Sequence, residues 1–168
     1  MRDGKMFYTL DGKGPALLML HAGVADSRMW QTQIDHFAER FTVVCFDLRG
    51  YGRSPLPNGS FAYHKDAKAL VDALELSPFW IIGASFGARV AIDFALSYPD
   101  SVKGLVLLAP ALGGFRLSEE VKRFGAQEGE LLEAGKLTEA TELNLRMWVD
   151  GPYPARSTYR SFSAWPSF

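Results

Sequence analysis

The chain has 168 residues, 48% of them apolar and 22% charged, a globular composition long enough for one domain with a real core. Its 18 Lys and Arg against 19 Asp and Glu leave a formal net charge of -1. No basic excess is available to neutralise phosphates, which argues against nucleic acid as a partner.

The N-terminal segment MRDGKMFYTLDGKG lacks the apolar stretch of a secretory signal, and no apolar run approaches the ~18–20 residues that span a bilayer. The expectation is a cytoplasmic protein with no membrane partner. Residues 5–10 read as a strand leading into Asp11-Gly12-Lys13-Gly14, a hairpin-type turn signal. Residues 16–21 (ALLMLH) form a near-continuous apolar run, as in a strand covered on both faces. Over residues 29–39, Trp30, Ile34 and Phe37 make one helical stripe. Residues 42–46 (TVVCF) are a second buried strand. They contain the single cysteine, Cys45, which reads as a small buried hydrophobe; one cysteine supports neither a disulfide framework nor a Cys-rich zinc site. Residues 63–76 place Ala67, Leu70, Val71 and Leu74 on one helical face. A third strand, 79–82 (FWII), is followed by a helix over 87–98 that carries Val90, Phe94 and Tyr98, and a fourth strand spans 102–109. Repeated strand–helix–strand with buried strands predicts an α/β fold: a mostly parallel sheet with helices on both faces. Beyond Pro110 the pattern loosens into two Glu-rich helices over 117–134 and 138–149.

Three unusual segments fall at the carboxyl ends of strands, where ligand chemistry sits in such sheets. Gly83-Ala84-Ser85-Phe86-Gly87 is a G-x-S-x-G sequence between a strand and a helix. A serine in so sharp a turn is lifted clear of the sheet at a helix N-terminus, and glycine at 83 and 87 removes the clash of side chains two positions away. The alternative is a tight turn in which Ser85 merely caps the helix. His21-Ala22-Gly23 can bring a second backbone N–H beside that of Phe86 to hold an oxyanion. Gly23 is the candidate, or Val24 if the register slips by one. His21 reads as a tie for loop backbone ahead of a catalytic base. In Asp47-Leu48-Arg49-Gly50-Tyr51-Gly52-Arg53-Ser54, Asp47 and Arg49 are expected to pair and organise the loop; a catalytic carboxylate at 47 is the lesser reading. No His/Cys/carboxylate spacing suggests a metal, and no Gly-rich phosphate loop stands at a strand–helix junction, so neither metal nor cofactor is expected.

The order LLMLHAG, DLRGYGRS, GASFG resembles the α/β-hydrolase superfamily. In particular it is similar to small soluble serine hydrolases such as esterases, enol-lactonases, carbon–carbon bond hydrolases and non-haem perhydrolases, over residues 5 to about 152. The resemblance implies Ser85 as nucleophile, the N–H groups of Phe86 and Gly23 as oxyanion hole, and a small ester or lactone-type substrate. It divides the chain into a partial core over 1–111, the start of a helical lid over 112–152 and a tail over 153–168.

The same resemblance exposes a gap. A serine hydroxyl needs a base held by an acid, and the family's chain order is Ser, then Asp or Glu, then His. The three histidines, His21, His36 and His64, all precede Ser85, and residues 110–114 (PALGG) offer no carboxylate. The triad acid and histidine are therefore expected to be missing. One-domain α/β folds commonly need ~200–250 residues, and acidic residues vanish after Asp150. Both suggest a truncated chain with an unstructured tail, for which a shifted reading frame near Pro154 is one expectation and an ordinary disordered terminus the alternative. The strand over 102–109 would then be a bare edge, for which self-association is expected. A crippled hydrolase, a catalytically silent binding module and a non-functional fragment remain the competing readings.

Overall fold

A computed structural model describes residues 6–112, 114 and 116–150. The proposed tail over 153–168 and the last two residues of the proposed lid lie outside the described residues. The chain divides into two compact units, with the boundary after Gly114.

The first unit is built on five strands: β1 (Tyr8–Asp11), β2 (Ala16–Leu20), β3 (Thr42–Phe46), β4 (Phe79–Ala84) and β5 (Val102–Leu108). They are ordered β1-β3-β2-β4-β5. β1 runs antiparallel to β3, and the other pairs are parallel. One expectation is corrected here: the Asp11–Gly14 turn does not close a hairpin between β1 and β2. β2 is flanked on both sides by parallel partners, so the chain after β1 must cross the end of β3 to reach it. At Gly12, with φ 76, a Cβ would run into the carbonyl oxygens of Ala38 and Phe41 just before β3. The glycine serves a close crossing and not a two-residue hairpin.

Alternate residues of the buried strands feed two cores. On one face Leu18, Leu20, Val44, Phe46, Phe79 and Ile81 pack beneath α2 (Tyr63–Ala73) and α3 (Phe86–Ser97), whose Leu70, Val71, Val90 and Phe94 complete the cluster. On the other, Leu17, Met19, Val43 and Cys45 pack against Trp30, in a 3₁₀ turn over Ser27–Trp30, and Ile34 of α1 (Gln31–Phe37). The stripe of Trp30, Ile34 and Phe37 thus straddles a 3₁₀ turn and a short α-helix. Each fully buried phenylalanine of the first cluster contributes about 1.5–3 kcal/mol. Among the described residues the second face is covered over β2, β3 and the end of β4, where Ile82 and Ala84 join this cluster. Across β4 and β5 it leaves Trp80 (42% exposed), Val106 and Leu108 (each 46%) open, with the Trp80 indole lying over Gly104. β5 ends the sheet among the described residues.

The second unit contains α4 (Glu119–Glu133) and α5 (Leu137–Leu145). Ser118 caps α4 by accepting from the Val121 N–H (3.2 Å), and Glu119 and Glu120 stand in the first turn, where the helix dipole favours them. Gly135, at φ 68, ends the helix. A π-helical turn over Arg146–Asp150 follows α5. The helices are tied by Asn144 Nδ2 donating to Glu128 (2.5 Å) and by the edge contact of Phe124 with Trp148 (5.4 Å between centroids).

Candidate active site

The chain winds from β2 to β3 on one side of β2 and then crosses to β4 on the other. The segments leaving β2 and β4 therefore turn to opposite faces of the sheet, and a crevice opens between the carboxyl ends of these paired strands, where Leu20 lies beside Gly83. His21, Gly23 and Ser85 all stand at this point.

Ser85 is the only residue between β4 and α3. Its backbone sits at φ 50, ψ -110, a sparsely populated region for a residue with a side chain. Three hydrogen bonds hold it there. Its N–H donates to the Leu108 carbonyl (2.8 Å), and its own carbonyl accepts from the N–H groups of Arg89 (3.2 Å) and Ala111 (3.3 Å). Ser85 is exposed and occupies the N-cap position of α3 without making a capping bond through its side chain. The capping alternative is thereby removed. The flanking glycines are sterically required. A Cβ on Gly83 would lie 2.7 Å from Ala88 Cα, and one on Gly87 would collide with the Leu20 and His21 carbonyl oxygens. Gly87 thus lets the start of α3 press against the end of β2. A Cβ on Gly23 would fall 3.2 Å from Phe86 Cβ, so the two residues expected to offer oxyanion N–H groups are direct neighbours.

His21 is fully buried. Its Nδ1–H donates to the Ala22 carbonyl (2.8 Å), and Nε2 accepts from the Leu48 N–H (2.9 Å). Only the neutral ring protonated at Nδ1 satisfies both bonds, and burial pushes its pKa below the ordinary histidine value. Asp47 is equally enclosed. Its carboxylate accepts from the backbone N–H groups of Ser27 and Arg53 (both 2.8 Å). Burial works to raise the pKa of Asp47, but hydrogen bonding from the Ser27 side chain, with that from the Arg53 and Ser27 backbone, outweighs it and holds the carboxyl below its usual range. The expected pairing of Asp47 with Arg49 does not occur. The lone pairs of Asp47 are occupied by loop N–H groups, its ion-pair partner is Arg53 (3.7 Å), and Arg49 turns to Asp66 on α2 (2.8 Å). Gly52, at φ 50, packs so closely on the Asp47 carboxylate that no Cβ fits.

Three features had no signature in the sequence. Asp26 pairs with Arg28 (2.6 Å), which lowers the Asp26 pKa to about 2. The Ala22 N–H donates to Met29 Sδ (3.3 Å). Tyr51 is in ring contact with both His21 (5.2 Å) and Phe86 (6.4 Å). A depression of about 680 Å³ opens beside them, lined by Gly23, Val24, Met29, Tyr51 and their neighbours. His36 is exposed on α1, and His64 rests against Tyr98, at the far end of α3 from Ser85. Among the described residues no three His, Cys, Asp or Glu side chains gather closely enough to hold a metal ion, and no helix is long and apolar enough to cross a membrane.

A family model described as the alpha/beta hydrolase fold matches residues 15–165. The chain belongs to the alpha/beta hydrolase fold family. Among curated relatives of this alpha/beta hydrolase fold chain, a fluoroacetate dehalogenase from Burkholderia is 39% identical over 124 residues, covering 69% of this chain and 40% of that protein. An uncharacterized hydrolase of Bacillus subtilis, YraK, is 29% identical over 158 residues, covering 91% of this chain and 58% of its own length. A solved marine microorganism esterase superposes with a TM-score of 0.68 at 26% identity, over 76% of this chain and 51% of the esterase. This alpha/beta hydrolase fold chain thus spans about half the length of the relatives it matches.

Proposed function

We propose that this chain carries the nucleophile half of a serine hydrolase acting on small ester or lactone-type substrates in the cytoplasm. Ser85 is the nucleophile, and the N–H groups of Phe86 and Gly23 form the oxyanion hole. The observation that carries the reading is an exposed serine in a strained turn at a helix N-terminus, adjacent to the glycine of the neighbouring loop. Attack of Oγ on a carbonyl carbon would give a tetrahedral intermediate whose negative oxygen is assigned to those two amides. His21, Asp47 and Arg49 act as loop organisers: the imidazole and carboxylate are bonded to backbone N–H groups, and the guanidinium is paired to α2. Residues 112–152 form the start of a lid that selects substrate.

Serine at position 85 also separates this chain from the activity in the name of its dehalogenase relative. Displacement of halide from a saturated carbon by a hydroxyl would leave an alkyl ether on the enzyme, which water does not cleave. Attack on an acyl carbon leaves an ester, which water does cleave. The esterase among the solved relatives fits that chemistry better.

Among the described residues no histidine is placed to serve the proposed nucleophile as a base, because His21 is committed to backbone and both other histidines stand elsewhere. Loss of the base in subtilisin costs ~10⁶ in kcat, leaving ~10³–10⁴ over water, so turnover is expected to be slow. The second reading, a silent binding module, rests on the same histidines. The test is p-nitrophenyl acetate hydrolysis by the chain and by Ser85→Ala, with and without added imidazole. A Ser85-dependent rate that imidazole raises supports the hydrolase. Rates identical in the two proteins under both conditions reject it in favour of the binding module.

A further inference from the structure

Four aromatic side chains line up from solvent to the proposed oxyanion hole. Phe61 (36% exposed) meets the ring of Tyr63 edge-on at 5.0 Å between centroids. Tyr63 meets Phe86 at 5.1 Å with the ring planes perpendicular, and Phe86 meets Tyr51 at 6.4 Å and 36°. Three different segments supply these rings: the loop after β3 gives Tyr51, the start of α2 and the residues before it give Tyr63 and Phe61, and the start of α3 gives Phe86. Tyr51, Tyr63 and Phe86 lie half-buried on top of the larger core cluster.

The position of this row matters more than its size. Phe86 follows the nucleophile directly, and its Cβ and Cγ lie 3.2 and 3.7 Å from where a Cβ on Gly23 would be, which sets the base of its ring beside the glycine of the proposed oxyanion hole. The Tyr51 hydroxyl also neighbours Gly23, 3.8 Å from where a Cβ would be. Burial raises the Tyr63 pKa, which keeps its hydroxyl neutral. Aromatic rings prefer partners that complement their quadrupole, edge to face or offset. A row of such rings beside the reacting atom favours a flat π group over a flexible alkyl chain, which would lose rotamer freedom on binding.

Resting on the serine acyl reading above, we propose that the ring row of Tyr51, Phe86, Tyr63 and Phe61 is a specificity element that selects substrates bearing an aryl or conjugated planar group on the reacting carbonyl. The test uses a matched pair of boronic acids, phenylboronic and butylboronic, binding to the full chain. Boron accepts a lone pair from Ser85 Oγ and the hydroxyl proton leaves to solvent, giving a tetrahedral anion with its charge in the oxyanion hole. Dissociation constants are read by tryptophan fluorescence for the parent chain, Ser85→Ala, Phe61→Leu, Tyr63→Leu and Tyr63→Phe, each first checked for native circular dichroism. Expected is a phenyl preference of about tenfold in the parent, reduced by ~3–10-fold in the leucine variants and kept in Tyr63→Phe, which retains the ring. Equal affinities, or a preference unchanged by both leucine variants, overturn the selectivity while leaving the serine reading intact. Binding that survives Ser85→Ala undiminished overturns the serine reading, and the selectivity inference with it. Should Tyr63→Leu fail to fold, the exposed Phe61→Leu decides alone.

Discussion

Ser85 concentrates conformational strain and chemical exposure in one residue. Its φ of 50 and ψ of -110 are of the kind that costs ~1–3 kcal/mol in a residue with a Cβ. Ser85→Gly should relieve part of that and raise the unfolding free energy by about 1 kcal/mol in urea titrations, while ending all Ser85-dependent ester hydrolysis. A loss of stability would mean the turn is not strained. Gly87→Ala should act in the opposite direction. Its new methyl meets the carbonyl oxygens of Leu20 and His21, backbone atoms that cannot swing aside, so a loss of ~1–3 kcal/mol is expected from the same titrations. An unchanged midpoint would mean that α3 can back away from β2.

At the scale of elements, β5 is where self-association is expected to arise. It pairs only with β4 among the described residues, and its open face carries Val106 and Leu108 beside Trp80. Exposed sheet edges with apolar flanks recruit other strands, so light scattering should show association that grows with concentration. A Val106→Lys substitution should suppress it; a parent chain that stays monomeric would contradict the expectation. The helices and buried strands were legible because their apolar spacing is local: TVVCF is β3 to the residue, and the Ala67, Leu70, Val71 stripe is the buried face of α2. Partner choice was not legible. Nothing in Asp11-Gly12-Lys13-Gly14 says that β3 intervenes between β1 and β2, because that order is set by which edges of β2 are free. Arg49 likewise looked like the partner of Asp47 from two residues away, whereas the chain turns it to Asp66, 17 residues on. The G-x-S-x-G turn could be read because its serine and both glycines lie within five residues; the reason expected for Gly87 was not the observed one, since the atoms that exclude a Cβ there are the Leu20 and His21 carbonyl oxygens at the end of β2. The ring row could not, since its members come from three segments that only the folded sheet brings together.

For the molecule as a whole, His21 links stability to pH. The unfolded chain protonates this histidine near the ordinary value of about 6.5, whereas the folded protein, in which burial lowers the pKa, resists protonation. Between those two values the unfolded state binds more protons, so stability is intact above about pH 6.5 and falls as pH drops below it, by at most ~1.4 kcal/mol per pH unit. Thermal melts at pH 7.5 and 5.5 should show a lower midpoint in acid, and His21→Asn should flatten the difference. An equal acid loss in the variant would exonerate His21. Since the chain spans about half the length of its relatives, the cooperativity of that melt bears directly on whether five strands suffice. Cys45 offers a way to watch it. The side chain is wholly enclosed between β3 and the 3₁₀ turn, near the Ser27 carbonyl (3.7 Å), and burial lifts its thiol pKa to about 12. A thiol so sheltered stays silent toward disulfide reagents until the central strands part, so the protein carries a native stopwatch whose colour change times each opening of its own heart.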